Sequence, residues 1–161
     1  MSEHFRVVVT DFITGEPVPE KSIIGDIADV HLLDANSEAD LVGKIEDADA
    51  IMLYHNLAIT RETIDRLTKC KLIVRCGVGF DNVDRAYARS RNIPVCNVPD
   101  YGTEEVADSA IGLMLSLTRG IHPLNSMLQA SPERLWSYIH VAPVMRLRGR
   151  TFGIIGLGRI G

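Results

Sequence analysis

Three groups of residues in this 161-residue chain are of types that could do chemistry, and two of them point to the binding of anions. In Thr151–Gly161, reading TFGIIGLGRIG, a β-prone run (Phe152, Ile154, Ile155) leads into Gly156, Gly158 and Gly161. That spacing is the dinucleotide-binding fingerprint of a strand-to-helix turn, with Leu157, Arg159 and Ile160 between the glycines. Gly156 permits a tight turn, Gly158 a close approach to a pyrophosphate, and Gly161 the packing of helix on strand. The second stretch is Gly77-Val78-Gly79-Phe80-Asp81-Asn82, where N–H groups around Val78 and Gly79 can converge on a carboxylate. Arg75 stands just before it as a cation. The third comprises two loop segments, Tyr54-His55-Asn56 and Asp100-Tyr101-Gly102-Thr103. On residue types alone, the Gly77–Gly79 loop is equally an ordinary turn, and Arg75 serves equally as an ion-pair partner for Asp81. His55, with no acidic partner at fixed spacing, reads as a loop residue before it reads as a base.

The elements that must position these residues follow a clear rhythm. β-branched runs alternate with amphipathic segments, which predicts βαβ units and a parallel sheet. Strands are expected over 5–10, 28–33, 48–53, 71–76 and 93–98. Helices are expected near 20–25, over 38–45 capped by Ser37 with Asp40, over 63–67 opened by Thr60, and over 83–91. Asp81 and Asn82 would hold the glycine loop or cap that last helix. Five strands in this order predict an α/β, flavodoxin-like, doubly wound domain, in which ligands bind at the carboxyl ends of the strands. Tyr54 and Tyr101 follow such ends, and Arg75 lies at one. From Thr103 the apolar spacing becomes helical, predicting a long helix to Leu117 capped by Thr103, then a short one over 124–129. Residues 131–149, with Pro132, Trp136, Tyr138 and Pro143, read as an arm. Gly156–Gly161 would close the first strand of a second, Rossmann-type domain. A lone strand leaves its N–H and C=O groups unpaired, so this segment is expected to find no ladder within the chain.

Composition narrows the function classes. A hydrophobic fraction of 46% with 24% charged residues is that of an ordinary globular chain. The net charge of −4, with basic residues scattered, argues against nucleic acid. No apolar run suits a bilayer and the first residues do not resemble a signal peptide, so a cytoplasmic protein without a membrane partner is expected. Cys70, Cys76 and Cys96 form no metal-ligand spacing and read as buried, reduced thiols beside strands.

Taken together, VRCGVGFDNVD (74–84), CNVPDYGTEEVADSA (96–110) and LRGRTFGIIGLGRIG (147–161) resemble the D-isomer-specific 2-hydroxyacid dehydrogenase family. Within it the likeness is closest to the C-terminal-binding proteins, dehydrogenase-like corepressors that share the Tyr-His and the Arg-x-Gly-x-Gly-Phe-Asp-Asn pattern. The resemblance spans essentially the whole chain. It implies NAD, or NADP, as hydride carrier and a 2-hydroxy or 2-keto acid as substrate. Tyr54, His55, Arg75, Val78, Gly79 and Tyr101 would bind the acid. Val78, Thr103, Gly156, Leu157, Gly158, Arg159, Ile160 and Gly161 would bind the cofactor. Residues 1–99 would be the substrate domain. Residues 100–161 would hold the interdomain helix, a dimer-forming arm and the start of a nucleotide-binding domain, and the complete protein would be a homodimer. The family's catalytic arginine, glutamate and histidine follow the glycine fingerprint and have no match here, so the chain alone is expected to be an inactive N-terminal fragment. The alternative is a corepressor-like module that binds peptides and needs no catalysis.

Overall fold

A computed structural model describes residues 4–131, 133, 138–141 and 144–161. The chain divides into two compact units, one ending at Tyr101 and one spanning Gly102–Gly161. Among the described residues no helix is long and apolar enough to cross a membrane.

The first unit is built on five parallel strands: β1 (Phe5–Val9), β2 (Ala28–Leu32), β3 (Ala50–Leu53), β4 (Leu72–Arg75) and β5 (Val95–Asn97). Their order is β2-β1-β3-β4-β5, the flavodoxin-like order that the alternating pattern predicts. Register aligns Val8 with Ile51, Ile51 with Ile73 and Ile73 with Val95. Val8, Ile51 and Ile73 thus form one buried row, joined in the core by Leu41, Ile45, Ile59 and Ile64. Burial of such β-branched and leucine side chains, about 1.5–3 kcal/mol each, is what holds the sheet together.

The helices here are short. α1 (Val18–Ile24) starts at Pro17 with proline in its first turn, where the missing N–H costs nothing. α2 (Arg61–Arg66) follows Thr60, and α3 (Arg85–Ser90) is capped by Asp84, whose carboxylate accepts the Tyr87 N–H. Two sequence expectations are corrected. The helix expected over 38–45 is a single 3₁₀ turn, Glu38–Leu41, because Val42 is extended and Gly43 adopts a left-handed φ of 79°. The Ser37–Asp40 pairing nevertheless forms, the Asp40 carboxylate accepting the Ser37 N–H at 2.9 Å. α3 begins two residues late because Val83 bridges to Ile59 instead.

The second unit contains α4 (Thr103–Arg119) and α5 (Ile121–Ala130), joined at Gly120, whose φ of 65° ends α4. Gly102, not Thr103, occupies the N-cap of α4, and neither helix buries a residue. A side chain at Gly120 would begin 2.8 Å from Val141, so glycine is needed there twice over. Residues 151–161, where a lone strand is expected to lack a ladder, are irregular and exposed, with no ladder among the described residues. Pro132, Trp136 and Pro143 of the expected arm lie outside the described residues.

Candidate active site

Leaving β1, the chain runs out to β2 and returns on the other side of β1 at β3, so the strand order reverses between them. Open α/β sheets bind ligands outside the carboxyl ends at such a reversal. Here the edge is formed by the residues after β1, β3 and β4, which lie side by side.

A residue that sequence reasoning missed organises this edge. Asp11, two residues beyond β1, is completely buried. Its Oδ1 accepts the Tyr54 N–H and its Oδ2 the Asn56 N–H, each at 2.8 Å, and the Thr10 hydroxyl donates to Oδ1 at 2.8 Å. A buried carboxylate without such partners would be prohibitively costly; with them it becomes a clamp on the loop after β3. The local signal was an acid at the carboxyl end of a strand, but its partners lie on the far side of β2 in the chain. Asn82 completes the clamp, its amide donating to the carbonyls of Tyr54 (3.0 Å) and Leu57 (2.7 Å) rather than capping a helix.

Tyr54 is partly buried, with the Cys76 thiol among its neighbours. Burial, reinforced by Cys76, Glu20 and Asp11, pushes its phenol up to about 12, so it stays protonated at neutral pH and can offer a hydrogen bond but is a weak acid. Burial pushes the Cys76 thiol up as well, which makes it a poor nucleophile. Cys70 is buried, as expected, whereas Cys96 is exposed on the edge strand β5. His55 is exposed and stacks on Phe12 with ring centroids 4.7 Å apart.

Arg75 ends β4. Its Nε is buried without a hydrogen-bond partner, as is Oε2 of Glu20. A side chain at Gly77 would begin 1.7 Å from Arg75 Nη1, so glycine there leaves room for the guanidinium. The Tyr101 hydroxyl lies beside it, 3.7 Å from the same point. Neither Gly77 nor Gly79 has a left-handed backbone, so the loop is not the alternating nest that two glycines suggest. Val78 and Gly79 are exposed, and the loop is tied down by Asn97 Nδ2 on the Val78 carbonyl (2.8 Å). A cation beside an exposed stretch of backbone is an arrangement that can pair with a carboxylate.

Thr103 opens α4, and Gly156–Gly161 is exposed, both in the second unit. Gly156 has a φ of 116° and a side chain at Gly161 would begin 2.1 Å from the Gly156 carbonyl oxygen, so the segment closes tightly on itself. No three His, Cys, Asp or Glu side chains among the described residues group to hold a metal. Two surface cavities, about 410 Å³ beside Ala28 and Asp29 and about 440 Å³ beside Pro94 and Val95, adjoin strand beginnings, the opposite edge to this chemistry.

Comparison with known proteins bears on what this edge does. The catalytic domain of the D-isomer specific 2-hydroxyacid dehydrogenases matches residues 7–151. D-3-phosphoglycerate dehydrogenase of Methanocaldococcus jannaschii is 33% identical over 97% of this chain and 28% of its own length. Among solved structures, the NADPH-dependent glyoxylate/hydroxypyruvate reductase of Sinorhizobium meliloti, in complex with NADP and malonate, matches with a TM-score of 0.76 and 29% identity. The match covers 99% of this chain and 48% of the reductase. A protein from Thermus thermophilus matches with a TM-score of 0.81 and 29% identity, over 98% of this chain and 50% of its own. The chain thus spans about half or less of the length of these relatives. The corepressor-like alternative gains no support from them.

Proposed function

The chain belongs to the D-isomer specific 2-hydroxyacid dehydrogenase family, and on that premise we propose that its first unit is the substrate-binding part of a nicotinamide-dependent oxidoreductase acting on D-2-hydroxy and 2-keto acids. The observation that carries this reading is Arg75, its guanidinium lodged against Gly77 and its Nε without a partner, beside the open Val78–Gly79 backbone. Arg75 and the loop amides hold the carboxylate; the protonated Tyr54 phenol and the His55 and Tyr101 side chains bound the rest of the acid. NAD or NADP carries the hydride, and within the second unit Thr103 and the Gly156–Gly161 segment with Leu157, Arg159 and Ile160 are the residues that would hold it. Proton transfer and full carboxylate capture belong to an arginine, a glutamate and a histidine that the resemblance puts after the fingerprint. The complete protein acts as a homodimer in the cytoplasm.

Titration of the ¹⁵N-labelled chain with pyruvate tests the binding half. The amides of Arg75, Val78 and Gly79 should shift, and Arg75→Gln should weaken binding about tenfold, as expected for a charge-assisted pair. The chain alone should not oxidise NADH with any 2-keto acid, since acid–base catalysis by itself is worth about 10²–10⁴. Pyruvate shifts confined to the cavities beside β2 or β5 would refute this placement of the substrate.

A further inference from the structure

At the reversal of strand order stands a residue whose backbone is strained and whose side chain has no role in the core. Phe12 has a φ of 72°, a conformation that glycine adopts freely and a bulky side chain does not. The Ile13 N–H returns to the Asp11 carbonyl at 2.8 Å across it, closing a three-residue turn. Asp11 itself is locked by Tyr54 and Asn56, so Phe12 is held in this turn. Its ring is half exposed and lies against Tyr54 (centroids 5.2 Å) and His55 (4.7 Å). Strain of this kind, kept where ligands bind and adding nothing to the core, points to function.

Its distance from the cation indicates which function. β1 and β4 flank β3, two ladder spacings or roughly 10 Å apart; Arg75 is the last residue of β4 and Phe12 lies three residues past β1, so the ring is displaced from the cation both across and along the strands. A two- or three-carbon acid anchored on Arg75 ends short of the Phe12 ring, whereas an aryl group on C3 reaches toward it. We propose that Phe12 is a specificity-determining residue: with Tyr54 and His55 it forms an aromatic platform that selects 2-keto acids bearing an aromatic group on C3. This inference rests on the reading of the same edge as the acid-binding site.

The test uses the whole ¹⁵N-labelled chain, with phenylpyruvate and pyruvate as probes, and Phe12→Gly as the variant. Glycine suits the observed φ, so the turn itself is not at risk. Phenylpyruvate should bind about tenfold more tightly than pyruvate and shift the amides of Phe12, Tyr54 and His55. Phe12→Gly should cut that preference about fivefold or more, the scale of one aromatic contact. Equal affinities for the two acids, or a preference untouched in Phe12→Gly, would overturn the inference while pyruvate shifts at Val78 and Gly79 left the acid site standing. Absence of shifts from either acid would overturn both.

Discussion

Asp11 shows how much of the candidate site depends on one side chain that never needs to touch a ligand. Its carboxylate is fully buried, yet it holds two main-chain N–H groups from a loop 43 and 45 residues away. Asparagine has the same shape but only one acceptor oxygen, so Asp11→Asn turns an amide NH₂ toward one of those N–H donors. The expected loss is about 2–4 kcal/mol in urea unfolding, the range for leaving a buried hydrogen-bonded group unsatisfied. Hydrogen exchange should accelerate at Tyr54 and Asn56 before it does at Ile51. A loss below about 1 kcal/mol would mean that the loop stands without its clamp. Nothing local in the sequence announces this role, because the two partners are brought to Asp11 only by the pairing of β1 with β3. The positions of Tyr54, Arg75 and the Gly77–Gly79 loop at the carboxyl ends of β3 and β4, by contrast, were legible from the apolar runs that precede them.

Among the elements, α2 is six residues long and could not hold its own N-terminus in isolation. Thr60 sits at its N-cap without making a side-chain cap; Glu38, from the 3₁₀ turn, does the capping instead. Its Oε1 accepts the Thr60 N–H at 2.8 Å and the Thr60 hydroxyl at 3.0 Å, and also the Thr63 hydroxyl. A carboxylate at a helix N-terminus satisfies otherwise orphaned N–H groups and complements the helix dipole. Glu38→Ala should therefore cost about 1–2 kcal/mol and speed exchange in the first turn of α2 while the sheet amides keep their protection. An unchanged α2 would show that packing of Ile64 alone suffices. The sequence marks Thr60 as a helix start correctly; that a residue 22 positions upstream supplies the cap is tertiary information.

At the scale of the whole molecule the apolar core of the described residues lies before Tyr101, running from Val8 to Ile93, whereas α4 and α5 bury nothing. Residues 1–101 expressed alone should fold with slow exchange across β1, β3 and β4 matching that of the full chain, and α4 should be among the full chain's least protected helices. Loss of that protection in the shorter chain would show that the second unit is needed to stabilise the sheet. What the sequence by itself determined is local. β-branched runs set where strands lie, proline and glycine set where helices start and stop, and three ordered glycine-bearing motifs set the family. Periodicity and turn chemistry are written in neighbouring residues, so they survive without knowledge of the fold. Tertiary structure decided the rest. The strand order joins the turn after β1 to the loop after β3, and Gly43 and Val42 reduce an expected helix to one turn. Asp11 and Phe12 became candidates for function only once that pairing made a site of the edge they share with Tyr54.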